Sequence, residues 1–206
     1  MQPGNFQFSR ILSYILHPLL IPTLATSALL LRPDIYSIVL PGALKIWFVA
    51  VVFIFTFGIP VAALLILLKF NAIQSLEMNN RAERTIPLLI TSTSFMALLY
   101  TLRSTGMPPV FLYVLYSATF AMLAGLLINM VYKISLHTLG WGALTATLIL
   151  ISMRLGTPLL GLIIIAVLLS GFVGFARLQQ NAHNQTQIYL GYVAGVSVIA
   201  LITFLQ

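Results

Sequence analysis

Seven long apolar runs follow one another along the chain, at roughly residues 11–31, 44–68, 86–103, 109–132, 138–153, 157–176 and 188–205, with polar stretches between them. About 20 largely apolar residues suffice for a helix to cross a bilayer. The runs are continuous, without the alternation of a membrane β-barrel. The pattern predicts an all-α fold, a polytopic transmembrane helical bundle of six or seven spans. It leaves room for one integral membrane domain, 1–206, and no separate soluble one. The first run is interrupted by His17-Pro18 and Pro22, which a membrane helix tolerates where neighbours satisfy the freed carbonyls. The fifth run is short and reads as a tilted or partial span. MQPGNFQFSR leads into the first run with no small-residue cleavage pattern, so that span is expected to be uncleaved.

Turn chemistry separates several runs: RPD at Arg32–Asp34, RSTGMPP at Arg103–Pro109 and RLGTP at Arg154–Pro158. Small residues recur at helix-packing spacing in Ser117, Ala121 and Gly125, in Ser170 and Gly174, and in Gly191 and Gly195. Such rows allow helix backbones to approach closely. Seven spans place the connections alternately on two faces. The N-terminus and the segments 69–85, 133–137 and 177–187 share one face, with Arg10, Lys69, Arg81, Arg84, Lys133 and Arg177. Arg32, Lys45, Arg103 and Arg154 fall on the other, mostly in short turns.

Composition sharpens this picture. The chain is 60% hydrophobic and 6% charged, against roughly 25% charged in a soluble domain. The net charge of +7 reflects the scarcity of acids, Asp34, Glu77 and Glu83, more than an excess of bases. The basic residues sit at the ends of apolar runs, which fits snorkelling and anionic lipid instead of nucleic acid. Cysteine is absent, which excludes disulfides, thiolate catalysis and thiolate metal sites.

Three polar segments on the first face hold the candidate chemistry: 72–87, 133–138 and 177–187. In AIQSLEMNNRAERT, helical spacing puts Arg81 and Arg84 three apart, with Glu77 four before Arg81. Arginine forks suit bidentate phosphate binding, and the same residues also serve as anchors at the start of a span. In KISLHTLGWG, Ser135 and His137 open the fifth run. An imidazole there can exchange protons near neutrality or serve as a polar interfacial group. RLQQNAHNQTQ, Arg177–Gln187, carries one Arg, one His and seven Asn, Gln or Thr without a Gly or Pro. A helical start would bring Gln187 onto the face of His183, where it can orient the imidazole. His17 lies about two turns into the first span from Arg10, either as an accessory group or as a partner for a carbonyl freed by Pro18 or Pro22. Asn129 and Tyr132 read as interhelical hydrogen bonders.

The order and spacing of these segments resemble the phosphatidic acid phosphatase type 2-like (lipid phosphate phosphatase) superfamily, over roughly residues 75–205. Its third motif, Ser-Arg, five residues, His, three residues, Asp, is matched by Ala176-Arg177, His183 and Gln187. Its Ser-Gly-His is matched by Ser135-Leu136-His137. Its Lys, six residues, Arg-Pro is matched only by Arg84, with Pro87 displaced and Glu77 where the Lys would be.

The resemblance implies a metal-independent phosphatase with no cofactor. His183 would be the nucleophile, His137 the general acid, and Gln187 the orienting group. Arg84 and Arg177 would hold phosphate, with Arg81 and Ser135 beside them and His17 and Glu77 as accessory groups. The substrate would be a membrane lipid phosphate of the phosphatidate, phosphatidylglycerol phosphate or isoprenyl diphosphate kind. A neutral amide in place of the supporting carboxylate slows such chemistry, by about 10⁴ in the serine-protease triad. The other expectation is therefore a catalytically degraded relative that binds phospholipid headgroups or a partner. Six basic residues against four favour a cytoplasmic site face, and setting aside Arg81, Arg84 and Arg177 leaves three against four. The resemblance implies an outward, periplasmic site face of the plasma (inner) membrane.

Overall fold

The computed structural model describes residues 3–32, 40–76, 78 and 81–205, with the side chains of 3–6 and 205 left aside. Among these residues the helices are α1 (Pro3–Ile15), α2 (Ile21–Leu30), α3 (Gly42–Phe53), α4 (Ile59–Lys69), α5 (Thr85–Leu102), α6 (Pro109–Val131), α7 (Leu136–Leu155), α8 (Leu160–Gln179) and α9 (Gln185–Leu205). No strand occurs among them. The helices make seven membrane-length spans: Gln7–Leu30, Gly42–Lys69, Ala82–Leu102, Pro109–Val131, Leu136–Leu155, Leu160–Gln179 and Gln185–Phe204. The protein is an integral membrane protein with an all-α helical bundle.

Two spans are discontinuous, and proline is the reason in both. α1 stops before Pro18, and a 3-10 turn, Pro18–Leu20, redirects the chain into α2. The His17 ring caps that turn, its Nδ1 accepting from the Leu19 amide at 3.3 Å. Pro60 disturbs the second span, which reads as unbroken in the sequence. A π turn over Ile54–Gly58 precedes it, with the Ile59 amide reaching back to the Ile54 carbonyl. Proline offers no N–H and its ring collides with the carbonyl four residues earlier, so the ladder widens instead of closing. The Phe55 carbonyl then takes its hydrogen bond from the Ser94 hydroxyl at 2.6 Å.

The fifth span is a full crossing of 20 residues, not a partial one. Ser135 caps its start and Gly156, at φ 61°, ends it in the left-handed conformation that glycine adopts without steric cost. The polar segment 177–187 is also less of a loop than its composition implies. α8 runs on through Gln179, and α9 begins at Gln185. Between them the Ala182 amide bonds the Arg177 carbonyl at 3.2 Å and the Asn181 amide bonds that of Leu178 at 2.9 Å. With Asn181 at φ 51°, this is a Schellman stop in which asparagine takes the usual glycine position.

α7 is the inner helix, packed against α2, α6, α8 and α9, while α1 lies on α8 and α5 joins α4 to α6. Backbone contact between α7 and α9 depends on glycine. A Cβ at Gly191 would meet the Thr138 hydroxyl and the Ser135 carbonyl, and one at Gly195 would overlap the Leu139 carbonyl. Gly125 on α6 similarly admits the Leu136 side chain, and Gly174 on α8 admits Ile188. The small-residue rows of the sequence therefore mark real helix contacts.

The two-face arrangement is also visible. Gln180 bonds Ser9 on α1, the Ser135 amide bonds the Gln187 carbonyl, and the Asn129 amide donates to the Arg81 carbonyl at 3.1 Å. At the opposite end Arg32 reaches the Pro158 carbonyl and Arg154 reaches that of Thr203.

Gly195→Val is expected to destabilise the bundle by about 1–3 kcal/mol, because the obstacle is backbone and cannot repack. Gly171→Ala, where an added Cβ meets nothing within 4 Å, is expected to leave stability unchanged or slightly raised. Thermal unfolding of the two purified variants beside wild type checks the contrast.

Candidate functional site

His183 follows the Schellman stop directly and precedes the first turn of α9. Asn184 and Gln187 form a capping box there: the Asn184 Oδ1 accepts from the Gln187 amide at 2.9 Å, and the Gln187 Oε1 accepts from the Asn184 amide at 3.3 Å. The same Oε1 accepts from His183 Nδ1 at 3.0 Å. The expected pairing of His183 and Gln187 is thus present, and an amide at position 187 also answers a local need of the helix start. An acceptor on Nδ1 places the ring proton there and leaves the Nε2 lone pair as the nucleophilic one. His183 is only 7% exposed. Burial pushes its pKa down to about 3, with the Gln187 hydrogen bond opposing and the charges of Arg84, Arg177 and Lys133 adding to the fall. The imidazole is therefore neutral throughout the physiological range.

The cations come from three separate elements. Arg84 ends a 3-10 turn, Ala82–Arg84, at the head of α5. It is 6% exposed, and its Nε donates to the Met78 carbonyl at 2.9 Å. Arg177 sits in the last turn of α8, where the helix dipole favours a positive charge. Its charge acts on His183 and on Lys133, the two titratable groups of the neighbouring links. Lys133, in the short link between α6 and α7, is the cation that sequence reasoning missed as a site residue. Burial first, then Arg84 and Arg177, hold its pKa below the usual lysine range. Its signal was its place two residues before Ser135 on the same face.

His137 and His17 meet at the break in the first span, ring edge to ring face, with centroids 5.1 Å apart. His137 Nε2 donates to the Ser13 carbonyl at 3.2 Å. One turn on, Trp141 Nε1 donates to the Leu16 carbonyl at 3.2 Å, whose helical partner, the Leu20 amide, has turned to His17. His17 thus lies against His137, and its own bond is to an amide and not to a freed carbonyl. The rescue of the carbonyls falls to α7.

Other expected site residues stand differently. Arg81 is exposed and donates to the Val131 carbonyl at the end of α6, so it ties two segments together. Ser135 is fully buried; its hydroxyl caps α7 by accepting from the Thr138 amide at 3.4 Å. Asn129 is an interhelical hydrogen bonder as expected. Glu77 lies outside the described residues. Gln180, which the sequence reading passed over, links Arg177 to α1.

No family model, curated protein or solved structure matches this chain.

The depressed pKa of His183 carries a sign that can be checked. The unfolded imidazole takes up a proton near 6.5 and the folded one only near 3, so between these values the unfolded state binds more protons. Stability therefore rises with pH across this window and is lost as pH falls from 6.5 toward 3. ¹⁵N-histidine NMR with His183 assigned by substitution is expected to show a neutral ring, protonated on Nδ1, from pH 8 down to pH 5. A titration midpoint near 6.5 would contradict the burial and the cationic setting.

Proposed function

We propose that this chain is a divergent member of the phosphatidic acid phosphatase type 2-like superfamily and hydrolyses a lipid phosphate through a phosphohistidine intermediate. The observation that carries this reading is His183, a buried neutral imidazole with its Nδ1 proton on Gln187 and its Nε2 lone pair uncommitted to that bond, within the field of Arg84, Arg177 and Lys133. Like charges gathered at one place repel unless an anion joins them. A phosphate with two negative charges fits that field, and arginine forks suit its oxygens.

In the proposed reaction Nε2 of His183 attacks phosphorus, and the bond from phosphorus to the lipid oxygen breaks. His137 keeps on Nε2 the proton it shares with the Ser13 carbonyl; it takes up a second proton from solvent on Nδ1 as the phosphate dianion binds, and gives that proton to the departing oxygen. Water then attacks the phosphohistidine and returns a proton to His137. Inorganic phosphate leaves, and His183 is regenerated. The three cations stabilise the charge that grows on the transferring phosphoryl oxygens, and such preorganised charge is commonly the largest catalytic term. Lys133 takes the part left vacant by Glu77 in the first motif. The substrate class is a phosphatidate, phosphatidylglycerol phosphate or isoprenyl diphosphate, whose hydrocarbon part lies in the bilayer that the seven spans cross. The site face is outward on the plasma (inner) membrane in this reading, on the strength of the resemblance.

A second reading is favoured by one specific observation: Gln187 is neutral and is engaged in a capping box. An amide holds the tautomer but gives an imidazolium no electrostatic support. In this reading the site binds a phospholipid headgroup without turning it over.

Phosphate release from phosphatidate, phosphatidylglycerol phosphate and isoprenyl diphosphates by the purified protein decides between them. Hydrolysis is expected for at least one, abolished by His183→Ala and lowered roughly ten- to 100-fold by Lys133→Ala. Lipid binding with no release would establish the second reading. Gln187→Glu preserves the reach of the capping box and gives His183 a carboxylate, so kcat is expected to rise roughly tenfold or more. An unchanged kcat would show that orientation alone is what residue 187 supplies.

A further inference from the structure

Arg177 is one of the three cations that act on His183, and it lies in the last turn of α8, where an arginine has many rotamers available. A long side chain of this kind has much rotamer freedom to lose, so something must hold it for its fork to meet an anion. Gln180, the C-terminal cap of α8, has the geometry to do so. Its Oε1 accepts from Arg177 Nη1 at 3.2 Å. Its Nε2 donates to the Ser9 carbonyl and to the Ser13 hydroxyl, both at 2.7 Å. Both amide protons are committed to α1, which fixes the direction in which Oε1 points. Ser13 in turn offers its carbonyl to His137 Nε2. One residue of the first span therefore touches the holders of two separate groups of the site.

We infer that Gln180 is a positioning residue, which uses α1 as an anchor to set the guanidinium of Arg177 for an anionic phosphoryl group. This inference rests on the phosphate-site reading above. It assigns a role to the first span, which holds neither His183 nor any of Arg84, Lys133 and Arg177. α1 braces the site through Ser9 and Ser13, and Gln180 transmits that brace to Arg177. A purely structural Gln180 would tie α1 to α8 and leave Arg177 as it is, so the two roles separate at the guanidinium.

The experiment uses the full chain in lipid nanodiscs with inorganic phosphate as the probe. Phosphate affinity is measured by calorimetry, and the ordering of the Arg177 side chain by ¹⁵N-arginine NMR, its signal assigned with Arg177→Ala. Gln180→Met, of similar length without hydrogen-bonding groups, is expected to raise the phosphate Kd about tenfold, as loss of a hydrogen bond to a charged group does. It is also expected to convert a slowly rotating Arg177 guanidinium into a mobile one. Ser13→Ala removes one anchor of Gln180 and is expected to shift both readouts in the same direction by less. It decides the matter by the same two measurements if Gln180→Met fails to fold. An unchanged Kd, or a raised Kd with the Arg177 signal unaltered, overturns the positioning role. Wild type that binds no phosphate overturns the phosphate-site reading and this inference together, whereas tight wild-type binding with a silent Gln180→Met removes the inference alone.

Discussion

The contact between the backbones of α7 and α9 is the constraint on which the remainder of the structure depends. Gly191 and Gly195 bring α9 so close that the Thr138 hydroxyl reaches the Ile188 carbonyl at 2.9 Å and the Ser135 amide reaches that of Gln187 at 3.2 Å. Two polar segments some fifty residues apart are thereby held side by side at one end of the bundle. In a bilayer there is no hydrophobic drive between helices, so close packing and hydrogen bonds across such an approach supply the attraction. A larger residue at either glycine would meet the backbone or hydroxyl atoms of α7 and force the two helices apart.

A second constraint follows from the membrane itself. Every backbone group released by a proline needs a partner from inside the protein. At Pro18 the partners are His137 and Trp141, four residues apart on one face of α7. At Pro60 the partner is Ser94. His137 is thus a structural donor whatever else it does, and its contact with His17 is a consequence of the same break. The first span is consequently bound to the candidate site by backbone chemistry, and Gln180 adds a side-chain link at its neighbouring turn.

The electrostatic character of the site comes from joining these pieces. Arg84, Arg177 and Lys133 arrive from three different spans or links, and each lowers the affinity of His183 for a proton. A nucleophilic histidine that is neutral and tautomerically fixed requires little beyond this: an acceptor on one nitrogen and positive charge around the other. The Gln187 amide provides the acceptor without adding a negative charge that would oppose an incoming anion. The same amide gives less support to a cationic ring, so under the proposed function position 187 favours binding over turnover.

The number of spans, their approximate ends and the shared face of the polar segments are all legible in the sequence, because apolar length and the alternation of connections depend on the bilayer alone. The small-residue rows are legible too, as are His183 and Gln187, whose spacing of four is a local property of one helix start. Other features are not. The π turn at Pro60, the full length of α7 and the Schellman stop at Asn181 depend on which neighbours satisfy particular carbonyls. The capping role of Ser135, the bond of Arg81 to the Val131 carbonyl, and the contacts of Lys133 and Gln180 were decided by tertiary structure. By itself, the sequence determined that this protein is a bundle of membrane helices with its three long polar segments toward one face. Only the packing of α1, α7, α8 and α9 decided which of those groups meet, since the distance between side chains on different helices is set by how closely their backbones approach.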